Sequence, residues 1–363
     1  MEKTMQQNGI ERLDKNFLVS GYGGDADWYE ASELFAYGQG WKGEADAWCR
    51  LPGRAKERVR EPVWDLSRYS SGIHLEFETN SEVILAHWIL RSDALQLNHM
   101  PATGVSGLDL YSEENGEWRY VGTGIPRAAG ENEAKIGGTF PREWRKYRLY
   151  LPLYNGVSTL QIGVAAGAGF RPALQHDGRK EVCFYGTSIT QGGCASRAGM
   201  SYPSLLERRL GFSAINLGFS GNGQAEPEMA QLLGELNPAA FVIDCLPNLP
   251  SFPVEEMISR LLFLLKHIRA KHSETPVLVV GTITYPGIWL DIDRREKWRC
   301  LDQAFRAVRE QLEKAFPVPV LFHSGEELLG DDSLATVDGV HPTDLGFQRM
   351  AENLAEPLSL LLK

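Results

Sequence analysis

At 363 residues the chain exceeds one typical domain, and two are expected. A hydrophobic fraction of 43% beside 23% charged residues is ordinary for a globular protein, and a net charge of −10 argues against nucleic acid or an anionic membrane as partner. No apolar run approaches the roughly 20 residues that span a bilayer, and the polar stretch Met1 to Lys15 lacks the apolar core of a signal peptide, so a cytoplasmic location is the expectation.

Up to about residue 175 the chain reads as short strands with few helical stretches. The candidates are Gly72–Phe77, Val83–Leu90, Gly107–Tyr111, Trp118–Val121, Tyr147–Leu151 and Ser158–Val164. Glu113-Glu-Asn-Gly116 and Asn155-Gly156 carry turn chemistry between them. Such spacing predicts a β-sandwich or jelly roll over residues 1–175, with a Gly- and Ala-rich linker at Ala165–Lys180. Gly38-Gln-Gly-Trp-Lys-Gly43 matches a dinucleotide-binding string but lacks its strand–helix context, and reads as a loop.

From 176 to 363 strands alternate with helices. Strands are predicted at Val182–Gly186, Ala214–Phe219, Ala239–Leu246, Val277–Ile283 and Val318–His323. Helical periodicity runs through Glu226–Leu236, Val254–His272, Arg294–Phe316 and Asp344–Leu361, and Ser201 with Pro203 offers a further helix start. In the second of these, Val254, Ile258, Leu261, Leu262, Leu265 and Ile268 share one face. Five such units predict an α/β fold with a five-stranded, flavodoxin-like parallel sheet flanked by helices. Such a sheet aligns the carboxyl ends of its strands along one edge.

Four loops on that edge carry chemistry. Ser188 follows the first strand, Asn216-Leu-Gly-Phe-Ser-Gly221 the second, and Asn248 the third; Asp338-Gly-Val-His341 lies after the fifth. A serine after a glycine is most often a turn or cap residue, but here a base and an acid accompany it. A serine hydroxyl is a poor nucleophile until a base takes its proton, and His341 is the base available. Asp338 can hold the other ring nitrogen, with Asp331 and Asp332 as alternatives for that role. The amides of Ser188 and Gly221 and the side-chain NH2 of Asn248 could donate to an oxyanion.

These four segments resemble the sequence blocks of the SGNH (GDSL-type) hydrolase superfamily. Gly186-Thr187-Ser188 is similar to the nucleophile block, Gly221 falls on the glycine of the second, Leu246-Pro-Asn248-Leu249 stands for the third, and Asp338-Gly-Val-His341-Pro for the last. Gly107-Leu-Asp-Leu-Tyr111 resembles the mark of a β-rich domain that precedes a bacterial subset of these enzymes. The resemblance implies an esterase or deacetylase with no metal or cofactor, and acetylated sugars as a frequent substrate class. The expected reaction is hydrolysis of short-chain acyl esters on carbohydrates through Ser188, His341 and Asp338, with Ser188, Gly221 and Asn248 forming the oxyanion hole. A thioesterase or lysophospholipase of the same superfamily is the alternative within enzymes, and a non-catalytic carbohydrate-binding protein the alternative outside them. A small acylated substrate is the expected partner, and a homodimer is allowed for.

Other residues have blander readings. Cysteines 49, 183, 194, 245 and 300 are odd in number and lack a CxxC pair, and read as reduced, mostly buried thiols rather than disulfides or a zinc site; Cys194 is a buried filler. His341 could instead cap Asp344. Asp109 could brace a turn or the domain interface, and the loop His99–Thr103 could overhang the active edge. Trp28, Trp41, Trp48 and Trp289 could stack on sugar rings.

Overall fold

The computed structural model describes residues 22–173, 178–313, 315 and 320–363. In chain order the β-rich half runs β1 (Ala26–Glu30), β2 (Ala36–Tyr37), α1 (Glu61–Ser67), β3 (His74–Thr79), β4 (Val83–Leu90), α2 (Ala102–Val105), β5 (Leu108–Glu114), β6 (Glu117–Gly124), β7 (Glu131–Gly138), β8 (Arg145–Tyr150), β9 (Val157–Ala165) and β10 (Phe170–Pro172). One antiparallel sheet has the order β1-β9-β4-β7 and the other β10-β3-β8-β5-β6, with β2 added on β3. Leu75, Phe77, Leu110 and Leu149 from the second sheet meet Ile84, Ala86, Trp88 and Ile162 from the first in a shared core. This is the expected sandwich.

Several sequence expectations change here. β1, β2, β7 and β10 were not among the predicted strands: β7 alternates in burial but carries Glu131, Glu133 and Lys135, which dilute the apolar signal. The supposed linker is partly strand, since Phe170 to Pro172 pair with β3. The boundary at 175–176 falls in residues 174–177, outside the described residues. Asn115 and Gly116 do form the β5–β6 turn, both at positive φ. Asn155-Gly156 does not make a hairpin, because β8 and β9 belong to different sheets. Asn155 is instead buried and bonded to Ser92, Ala94 and Ser106.

The second half runs β11 (Glu181–Gly186), α3 (Ser188–Gln191), α4 (Tyr202–Leu210), β12 (Ser213–Gly218), α5 (Pro227–Leu233), β13 (Ala240–Asp244), α6 (Val254–Lys271), β14 (Val277–Val280), α7 (Ile292–Leu312), β15 (Val320–His323) and α8 (Asp344–Leu361). The sheet is parallel, in the flavodoxin order β12-β11-β13-β14-β15. Both faces are covered: Cys183, Tyr185 and Ile243 point into one core with α5, α6 and α7, while Val182, Phe184 and Val242 point into the other with α8. That double burial is why these strands read as continuous apolar runs. In α6 the buried stripe is turned slightly from expectation: Met257 and Leu264 join Leu261, Leu265 and Ile268, whereas Val254, Ile258 and Leu262 are only partly buried. β13 and β14 end earlier than predicted, at Asp244 and Val280, whereas β15 ends at His323 as predicted, and the start predicted at Val318 lies outside the described residues. Ser201 precedes α4 as predicted but makes no side-chain cap bond.

The two halves share apolar cores. Trp41, Leu51, Ala55 and Val63 join one core of the α/β half, and Met100, Tyr150 and Leu153 join the other. Along this seam Arg148 of β8 donates to Glu76 of β3 at 2.7 and 3.0 Å and to Glu207 of α4 at 2.6 Å. Asp109 accepts from Arg197 (2.7 Å) and the Gly199 amide (2.9 Å), so it braces the interface.

Candidate active site

β11 ends at Gly186, and the chain turns at once into α3. Thr187 sits at the N-cap, its hydroxyl accepting from the Ile189 amide at 3.2 Å. Ser188 is therefore the first residue of a one-turn helix, with its own amide among the first-turn donors that have no intrahelical acceptor. This four-residue helix was not predicted, since its signal is a single capping threonine. Gly223 lies so close beneath it that a Cβ there would stand 2.1 Å from the Gly186 carbonyl oxygen.

The last loop is held from several sides. Val337 N donates to His341 O (2.9 Å), Thr343 N donates to Ala335 O (2.9 Å), and Arg294 donates to Pro286 O (2.7 Å) and Gly339 O (3.4 Å). Thr343 then caps α8. The loop is thereby presented opposite Ser188.

The structure brings the predicted residues together. Ser188 Oγ lies 2.8 Å from His341 Nε2, and His341 Nδ1 lies 2.7 Å from Asp338 Oδ2. Asp338 Oδ1 also accepts the amides of Val340 (2.9 Å) and His341 (2.8 Å). Burial works to raise the Asp338 pKa, but the two amides and the imidazole outweigh it and hold the carboxyl at about 2. The alternatives are engaged elsewhere: Asp332 is paired with Arg349 (2.7 Å), and Asp344 accepts from Ser196 N (2.9 Å). Ser188 is 7% exposed, whereas the His341 side chain is 21% exposed and reachable from solvent.

Gly221 lies in the turn after β12 with φ +67°, a conformation that favours glycine. Asn248 lies just past β13, in a short 3-10 turn at Leu246–Asn248. Its Oδ1 accepts from Gly223 N at 3.1 Å, which orients the amide and leaves its NH2 edge as the donor side. Gln191 joins the first two loops, accepting from Ser220 N at 3.0 Å and donating to Leu153 O at 3.1 Å.

Sequence reasoning missed the contributions of the β-rich half. Tyr154 donates to the Ser188 carbonyl oxygen (3.3 Å), which also accepts Gly193 N (2.7 Å). Buried Arg50 donates to the Gly218 and Leu66 carbonyl oxygens and, at 2.9 Å, to that of Tyr69. His99 does overhang the edge, its ring centre 5.5 Å from that of His341. Cys194 is buried, as expected, and burial together with the Asp338 charge pushes its thiol up to about 12, so it is no nucleophile. Of the tryptophans offered for stacking, Trp41 and Trp48 are core residues, while Trp28 is 37% and Trp289 76% exposed.

A hollow of about 480 Å3 opens between the segments that carry Asn248 and His341, lined by Pro247, Pro250, Tyr285, Arg294, Lys297 and Val340 among others. A larger one, of about 710 Å3, lies at the opposite, amino ends of β11 and β12, against Glu181 and Ser213, and is remote from Ser188. Among the described residues no helix is long and apolar enough to cross a membrane.

A flavodoxin-order sheet whose carboxyl edge gathers a serine, a histidine, an aspartate and an asparagine is the arrangement of SGNH-type ester hydrolases. Residues 179–359 match the GDSL-like lipase/acylhydrolase family, and residues 26–170 match the N-terminal domain of SGNH hydrolase-type esterases. A Bacteroides ovatus protein described as a GDSL-like lipase is 33% identical over 93% of this chain and 98% of its own, with a TM-score of 0.86. The chain belongs to this family and is a carboxylic ester hydrolase. A salicylyl acyltransferase from a tetracycline biosynthetic pathway (18% identity, TM-score 0.75, 93% of this chain and 97% of its own) shares the fold. So does a family two carbohydrate esterase from Cellvibrio japonicus (15% identity, TM-score 0.57, 93% and 98%). Comparison with curated proteins found no match.

Proposed function

We propose that the protein is a serine esterase that removes short acyl groups, acetyl above all, from carbohydrates through an acyl-enzyme. The observation that carries this reading is the continuous chain Ser188–His341–Asp338, at 2.8 and 2.7 Å. Ser188 Oγ attacks the ester carbonyl as its proton passes to His341 Nε2; Asp338 stays ionised and steadies the imidazolium that forms. The negative oxygen is met by the amides of Ser188 and Gly221 and by Asn248 Nδ2. His341 returns the proton to the departing alcohol, water repeats the cycle, and acetate leaves.

Two features support a sugar as the alcohol. The hollow beside Asn248 and His341 is edged by Asp291, Asp293, Arg294 and Lys297, charged groups suited to hydroxyls, and Tyr285 offers a ring face. The fold likeness to carbohydrate esterases agrees with it. A second reading, an enzyme for apolar or long acyl groups such as a thioesterase or lysophospholipase, is favoured by one observation: Trp289 and Leu290, on the loop that Arg294 ties to the His341 loop, and Ile292, at the start of α7, are exposed, as are Leu334 and Val337. A panel of acetylated sugars against esters of rising acyl length, read as kcat/KM, decides between them. A steep decline beyond acetyl is expected; a rise with chain length would transfer the assignment to the second reading.

A further inference from the structure

His99, Cys194, Asp338 and His341 come from three separate segments, yet one ligating atom from each lies within 4.8 Å of the others. The donors are two imidazole nitrogens, a thiol sulfur and a carboxylate oxygen. We propose that these four side chains form a binding site for Zn2+, and that its occupation reversibly switches the esterase off. The inhibitory consequence rests on the proposed function; the site itself does not.

The donor set argues for zinc rather than a hard cation. Ca2+ and Mg2+ take oxygen ligands, whereas a mixed nitrogen, sulfur and oxygen set suits Zn2+. With bonds of about 2.0–2.3 Å, a tetrahedral Zn2+ holds its ligands roughly 3.3–3.8 Å apart. The cluster therefore needs to close by about an ångström, and His99, exposed on the short loop bridged between Leu97 and Met100, is the member free to swing. Binding releases one proton, from the Cys194 thiol. The resulting thiolate and the Asp338 carboxylate together neutralise the dication, which makes the partly buried position tolerable.

Inhibition follows from the two bonds His341 already makes. Its Nε2 accepts from Ser188 and its Nδ1 donates to Asp338. Zinc on Nδ1 needs that lone pair, so the ring proton moves to Nε2 and the acceptor for Ser188 is lost. Zinc on Nε2 takes the place of the serine hydroxyl directly. Either way the imidazole stays neutral and can no longer receive the Ser188 proton.

The test uses the full chain stripped with EDTA and titrated with ZnCl2, binding being read by calorimetry and hydrolysis with a chromogenic acetate. One Zn2+ per chain, and inhibition reversed by EDTA, are expected. H99N and C194A should each weaken zinc binding and inhibition by at least about ten-fold, while hydrolysis without zinc stays within a few-fold of wild type. S188A should bind zinc as wild type does although it is inactive, so failure of the esterase reading and failure of the metal site give different results. Co2+ in place of Zn2+ should produce a thiolate-to-cobalt charge-transfer band in wild type that C194A lacks. If C194A does not fold, the wild-type band and its weakening in H99N decide. No stoichiometric zinc uptake, no charge-transfer band, or undiminished binding in both variants would overturn the proposal.

Discussion

Two ionic clusters in this molecule are built from similar side chains and serve opposite ends. At the active edge, Asp338 and His341 are paired at 2.7 Å with side chains 34% and 21% exposed. At the seam between the halves, Glu76, Arg148 and Glu207 are paired at 2.6 and 2.7 Å with side chains at most 2% exposed. Burial works to raise the Glu76 pKa, yet Arg179, His74 and Arg148 hold its carboxyl far below the usual range, and Arg148 is shifted upward in turn. Glu76 and Arg148 thus stay charged. In the proposed reaction the edge must pass a proton and keep water within reach, and its pair is open to solvent. Charge held for cohesion is sealed; charge used for chemistry is not.

That contrast can be broken by substitution, and the largest effect belongs to the edge. Ser188→Ala should lower kcat for a chromogenic acetate on the order of a million-fold and leave the thermal midpoint unchanged; surviving turnover would remove Ser188 from its role. Asp338→Asn should cost about 10^4-fold in kcat, again with little change in stability. Because Asp338 is held at about 2, its protonation should not add to the acid limb of the wild-type profile; a slope of two in log kcat/KM against pH would contradict this. Arg148→Ala should do the reverse, costing about 3–5 kcal/mol in urea unfolding by leaving buried Glu207 without its guanidinium partner, while Glu76 keeps Arg179 and Lys146, with kcat/KM of the folded enzyme within a few-fold of wild type.

The smallest effect sharpens the comparison with a third acid. Asp244, at the end of β13, is buried and its carboxylate accepts from the hydroxyls of Tyr202 (3.0 Å) and Thr190 (3.1 Å), with no cation paired to it among the described residues. Burial pushes its carboxyl up to about 7 against those two bonds. Its folded pKa lies above the unfolded value, so its contribution is fully present below about pH 4 and is lost as pH rises through about 7. Asp244→Asn should flatten that decline in a pH series of thermal midpoints. An identical slope in the variant would show that the decline has another source.

Much of the edge was legible before any coordinates. Strands buried on both faces leave unbroken apolar runs, and the loop after each run falls on the same rim, so the strand pattern put Ser188, Asn248 and His341 on that rim and the family resemblance gave them roles. The Asp109 brace and the His99 loop were foreseen, but two other contacts between the halves escaped. Tyr154 reaches Ser188 over 34 positions and Arg50 reaches Gly218 over 168, with no pattern in either segment to announce it. Cys194 is buried as its reading required, but its closeness to His99 and His341, both remote along the chain, could not be read. Strand β7 was lost to its charged residues, and α3 to its brevity.

The tight stack of Gly223 on Gly186 bears on any attempt to re-engineer the enzyme. With 2.1 Å between a Cβ at 223 and the carbonyl beneath it, even alanine would lever the second loop away from the nucleophile. Combinatorial libraries aimed at new acyl groups should leave 186 and 223 untouched and diversify Trp289 and Val340, which line the surface hollows.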